Sequence, residues 1–104
     1  MPLNRLIKKT TVENLWIYIL SLLIEQPMYA YEIPNKIKER FGFKIGSVTA
    51  YIVLYKLENS GYVETKWVSQ NNRQRKYYTI TEKGIKLLND GTSYLEGLIR
   101  NIRK

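Results

Sequence analysis

Between Glu64 and Glu82 the chain carries no acid, and within that stretch Arg73, Arg75 and Lys76 fall in four consecutive positions. Guanidinium groups offer forked donors that match phosphate oxygens, and a lysine adds a point charge. The segment therefore suits a polyanion. Upstream, Ser47-Val48-Thr49 opens a run containing Tyr51, Ile52 and Lys56. Read as the start of a helix, it offers free backbone amides to a phosphate, with Val48 and Ile52 free to meet thymine methyl groups. Catalysis has little to work with. Cysteine and histidine are absent, Asp90 is the sole aspartate, and the eight glutamates are scattered among basic and polar neighbours. No thiolate or imidazole is available as nucleophile, general base or metal ligand. An enzyme is not expected, and no cofactor or metal motif is present.

The elements that must position these residues follow from periodicity. Thr10-Thr11-Val12-Glu13 has the spacing of a capping box. The helix it opens carries Val12, Leu15, Trp16, Ile19, Leu22 and Leu23 on one side, with Ile17, Tyr18, Leu20 and Ile24 on the other. A helix apolar all round is buried on more than one side, and in a chain of 104 residues the second side suggests a subunit interface. Pro27 ends it. A second helix spans about Tyr31 to Arg40, starting near Pro34 or distorted there, and Gly42 stops it. The third takes Ser47 as N-cap and Gly61 as its stop, with Ala50, Val53, Leu54 and Leu57 facing the core.

Val63 to Gln70 and Gln74 to Ile80 alternate as strands around an Asn71-Asn72 turn, since Asn tolerates positive φ. That turn sets the register: Val63 opposite Ile80, Thr65 opposite Tyr78, Trp67 opposite Lys76. This row faces the core, and Lys66, Arg73, Arg75 and Tyr77 gather on the exposed side. Trp16 and Trp67 are expected in the core. Thr81-Glu82 opens a last helix whose Gly84, Leu88, Gly91, Leu95, Leu98 and Ile102 form a coiled-coil-like seam. The two glycines would admit a close partner helix, and the seam suits a second copy of the chain. The expected dimer residues are thus Leu15, Ile19 and Leu23 with Leu88, Gly91, Leu95, Leu98 and Ile102. Residues 1–8 and 103–104 are expected to fray.

Seventeen Lys plus Arg against nine Asp plus Glu give a net charge of +8, which favours nucleic acid or an anionic membrane as partner. The apolar run from Leu15 to Ile24 is too short to cross a bilayer, which needs about 20 residues. It lacks a signal-peptide cleavage site, and no exposed amphipathic basic segment suggests lipid. A cytoplasmic protein with no membrane partner is expected.

The order helix, helix, helix, ribbon, helix is that of a winged helix-turn-helix: mainly α with a small β-hairpin, in one domain over 1–104. Residues 12–80 form the DNA-binding core and 81–104 the dimerisation helix. Three ordered segments resemble the PadR transcriptional regulators: Tyr29-Ala30-Tyr31-Glu32-Ile33; Thr49-Ala50-Tyr51 with Leu54, Leu57, Glu58 and Gly61; and Arg75-Lys76-Tyr77-Tyr78-Thr79-Ile80-Thr81-Glu82-Lys83-Gly84. The resemblance covers about residues 12–100. It implies a dimeric repressor of the short form with a single C-terminal helix, reading a pseudo-palindromic operator in duplex DNA. By position, Tyr31, Thr49, Tyr51, Arg75 and Lys76 would contact DNA, beside Ser47, Val48, Ile52, Lys56 and Arg73. Two departures stand out. Ala30 replaces the family's usual glycine, and Leu95 stands where multidrug-binding relatives place a tryptophan. A small-molecule effector would be a further partner, of no class the residues identify. The competing expectation is a winged-helix module that binds protein through the apolar outer face of its third helix.

Overall fold

A computed structural model describes residues 1–104. Helix α1 (Pro2–Thr10) begins at a proline, whose missing N–H is no loss in a first helical turn. Residues 2–8, expected to fray, are thus helical. Leu3, Leu6 and Ile7 lie on one side of α1 and remain exposed; helical spacing puts Arg5, Lys8 and Lys9 on the other. The chain therefore does contain an exposed amphipathic basic segment, contrary to expectation. The Thr10–Glu13 capping box does not form. Thr10 ends α1, and its hydroxyl donates back to the Leu6 carbonyl at 2.7 Å. Glu13 pairs instead with Lys9 at 2.9 Å, and that ammonium holds its carboxyl below the usual range.

After a 3-10 turn (Val12–Asn14), α2 (Leu15–Leu23) runs through the centre. Leu15, Ile19, Leu20, Leu22 and Leu23 are all at most 3% exposed. This corrects the dimer expectation for Leu15, Ile19 and Leu23. Within a single chain α3, α4, α5 and the sheet pack around α2 and close over these five, while Trp16, Ile17 and Tyr18 stay half-buried and Ile24 is exposed. Each of the buried side chains contributes about 1.5–3 kcal/mol by leaving water.

A second 3-10 turn (Ala30–Glu32) leads into α3 (Ile33–Phe41), so Pro34 sits in the first helical turn, where it is tolerated. Gly42 ends α3 with φ +81°. Helix α4 (Ser47–Asn59) buries Ala50, Leu54 and Leu57. At its end the Tyr62 amide donates to the Leu57 carbonyl and the Gly61 amide to that of Glu58, a Schellman stop that needs glycine at φ +80°.

The sheet has three strands, one more than the ribbon the sequence suggests. Strand β1 (Met28–Tyr29) pairs with β3 (Arg73–Ile80), which pairs with β2 (Val63–Gln70), giving the order β1-β3-β2. The β2–β3 register is the expected one throughout, from Val63 opposite Ile80 to Gln70 opposite Arg73, with Asn71 and Asn72 both at positive φ. The core-facing row holds only near the body. Val63 and Tyr78 are buried, but Trp67 is 62% exposed, because the ribbon outruns the helices beneath it. Trp67 is therefore no core residue.

Helix α5 (Glu82–Ile102) starts at Thr81, whose hydroxyl accepts from the Gly84 amide at 3.1 Å. A Cβ on Gly84 would lie 2.1 Å from the Tyr62 carbonyl oxygen, and one on Gly91 would lie 2.9 Å from the Trp16 ring. Both glycines thus admit neighbours from the same chain, not a partner helix. Leu88 is buried with Gly84 and Gly91 is half-buried, whereas Leu95, Leu98 and Ile102 face outward. No helix is long and apolar enough to cross a membrane.

Candidate nucleic-acid interface

Helix α4 presents one face inward and leaves the other bare. Ala50 and Leu54 are fully buried, while Val48, Tyr51, Ile52 and Tyr55 are 50–72% exposed. Ser47, Thr49 and Lys56 are exposed beside them. All six predicted α4 residues therefore share one surface. Ser47 is not the N-cap, however. Gly46 holds that place in extended conformation, and no side chain accepts from the first-turn amides. Those amides carry the positive end of the helix dipole and remain free for an anion.

The wing separates the three predicted cations between its two faces. Arg73, Arg75 and Tyr77 lie on the outer face, alternating with the core-facing row. Lys76 lies on the inner face, 3.7 Å from Glu58 of α4. Glu58 also accepts from the Thr65 hydroxyl at 3.2 Å. The expectation of an acid-free cluster thus fails for Lys76: a carboxylate distant in sequence is brought to it by the packing of α4 on β2. No ion pair involves Arg73, Arg75, Lys44, Lys56 or Lys66.

Tyr31, in the turn before α3, is 74% exposed. It does not stand alone. Its ring lies parallel to that of Tyr29, 6.4 Å between centroids, and the Arg75 guanidinium carbon sits 4.4 Å over Tyr29. Tyr77 meets Tyr29 edge-on at 5.6 Å. Tyr29 escapes a reading by periodicity, because a two-residue strand leaves no repeat to detect. Its place in the segment ahead of Tyr31 was the only signal. No group of His, Cys, Asp and Glu side chains could hold a metal ion, so the surface offers cations, phenols, hydroxyls, methyls and free amides.

The model of the transcriptional regulator PadR-like family matches residues 19–90. An uncharacterized protein from Lysinibacillus sphaericus is 39% identical over 70 residues, which span 64% of this chain and 63% of that protein's length. A transcriptional regulator from Clostridium thermocellum shares 32% identity and superposes with a TM-score of 0.76 over 86% of this chain and 89% of its own. Bacillus subtilis PadR, solved in complex with operator DNA, shares 28% identity at a TM-score of 0.69, over 75% of this chain and 46% of its own.

Proposed function

Because this chain belongs to the PadR-like family of transcriptional regulators, we propose that it is a homodimeric, sequence-specific repressor. Each protomer would place α4 in a major groove and lay its wing along the adjacent backbone. The observation that carries this reading is the bare outer face of α4, with free first-turn amides, beside wing arginines that no carboxylate neutralises. The operator complex of the Bacillus subtilis relative supports it.

Tyr31, Ser47, Val48, Thr49, Tyr51, Ile52, Lys56, Arg73 and Arg75 are the proposed DNA contacts. Lys76 contributes less, since Glu58 offsets its charge. The exposed start of α4 holds no Arg, Asn or Gln, so bidentate base readout is absent there. Specificity comes from Thr49, from methyl contacts by Val48 and Ile52, and from DNA shape.

Dimerisation rests on the second half of α5, where Tyr94, Leu95, Leu98, Ile99 and Ile102 are 39–73% exposed, and on the apolar side of α1. Contiguous apolar surface of this kind marks an interaction site. A two-fold pair would read a pseudo-palindrome with half-sites about 34–36 Å apart. Repression follows by occlusion of a promoter, in the cytoplasm where the DNA lies. A cleft of about 340 Å³ between α2 and α5, lined in part by Trp16, Ile17, Gly91, Tyr94 and Leu95, is the candidate seat for a small-molecule effector.

Duplex selection from a random library by the purified chain tests the reading. One enriched pseudo-palindrome is expected, bound by two chains; no enrichment contradicts it. The second reading, a protein-binding module, is favoured only by the apolar face of α4. It predicts that Arg73→Ala with Arg75→Ala leaves DNA retention unchanged. Liposome flotation tests whether α1 binds anionic lipid; retention on DNA with no flotation is expected.

A further inference from the structure

We infer that Tyr29 is a positioning residue that holds the Arg75 guanidinium ready for a DNA phosphate. The inference rests on the DNA-binding reading above and adds a residue and a mechanism to it.

Arg73 and Arg75 lie on the same face of β3, yet their surroundings differ. Arg73 is exposed and its guanidinium lies over no aromatic ring, whereas Arg75 is half-buried with its guanidinium carbon 4.4 Å over the Tyr29 ring. The platform is itself fixed. The Tyr29 backbone pairs with Tyr77 across the sheet, and its amide donates to the Glu32 carboxylate at 3.0 Å. Tyr77 closes one edge of the ring at 5.6 Å, and Tyr31 lies parallel to it within 4°.

At 4.4 Å from the centroid the guanidinium engages the π face of the Tyr29 ring, and the N–H donors turned away from the ring are left for an oxyanion. The attraction also removes rotamers that a free arginine would surrender on binding. No acid competes for the group. Tyr29 therefore prepares Arg75 without touching DNA. It also ties the wing to the turn that carries Tyr31, so that both groups present as one surface.

The test is a double-mutant cycle on the duplex most enriched by the wild-type chain, read by fluorescence anisotropy, with fold monitored by circular dichroism. Tyr29→Phe keeps the ring and should bind within about twofold of wild type. Tyr29→Leu should weaken binding roughly fivefold, and in an Arg75→Ala background it should have no further effect. Arg75→Lys, which keeps the charge but loses the guanidinium, should bind as weakly as Tyr29→Leu does. If the Leu and Ala losses simply add, Tyr29 acts on the fold and the inference is overturned. Equal losses for Phe and Leu overturn it as well, since the hydroxyl would then be the working group. An NMR readout in the free protein separates the two layers. The ring should shift the Arg75 δ protons upfield, and Tyr29→Leu should abolish that shift. If no shift is seen, the clamp does not exist. If the shift is present but no duplex is bound, the clamp stands while the DNA reading and the role assigned to Tyr29 both fall.

Discussion

The first half of α5, to Gly91, and the second half, from Thr92 to Ile102, carry the same apolar spacing but meet different fates. Gly84 and Leu88 are closed against Tyr62 and the core, while Leu95, Leu98 and Ile102 stand 39–73% exposed. Periodicity identifies a face but does not say what covers it. The wing repeats the lesson in charge: Lys76 and Arg75 are neighbours in sequence and each lies over a tyrosine ring, yet only Lys76 also meets a carboxylate, that of Glu58. Alternation along a strand sends adjacent side chains to opposite faces, and the packing beneath decides whether a cation is already answered.

Enclosed and open apolar surfaces respond differently to mutation. Leu20→Ala, in the enclosed helix, should cost about 2–5 kcal/mol in urea unfolding. Leu98→Glu should instead leave the protomer folded and convert a dimer to a monomer in sedimentation. A monomeric wild type would remove the distinction. The glycines of α5 sharpen it further. Gly84→Ala should destabilise by about 2 kcal/mol or more, because overpacking against the Tyr62 carbonyl outweighs the gain in helix propensity. Gly97→Ala, with open space around it, should stabilise by up to about 1 kcal/mol.

On the wing, Arg75→Ala should weaken DNA binding about tenfold, Arg73→Ala less, and Lys76→Ala within about twofold. An equal loss for all three would mean that Glu58 does not occupy Lys76. The smallest effect is alkaline. Burial pushes the Tyr18 and Tyr78 hydroxyls above the ordinary phenol range. Their raised folded values mean that the stability they contribute is intact below pH of about 10 and is lost as pH rises through the folded pKa. Phenylalanine at either position should flatten that decline.

Most of the fold was legible in the sequence. The turn at Asn71-Asn72 sets the hairpin register residue for residue, because a two-residue loop leaves one pairing. The stops at Gly42 and Gly61 follow from their left-handed backbones. What escaped detection needed tertiary information. The pairing of β1 with β3 spans two residues, and the Lys76–Glu58 contact joins groups 18 positions apart. The reach of α1 depended on a proline that starts a helix as readily as it ends one. The outer face of α4 was legible as apolar and exposed because its inner stripe was already complete. Leu15, Ile19 and Leu23 lie on an apolar face whose cover periodicity cannot name: α3, α4, α5 and the sheet of the same chain close over it.

Hydroxyl-radical footprinting of the selected duplex, with affinity measured across a salt series, distinguishes a paired groove reader from a chain that binds singly or without its wing. Two protected tracts about one helical turn apart are expected, with two chains bound, and Arg75→Ala should reduce the slope of log K against log salt by about two, one phosphate per protomer. A single tract bound by one chain, or an unchanged slope, would contradict a paired reader whose wing arginines grip the backbone.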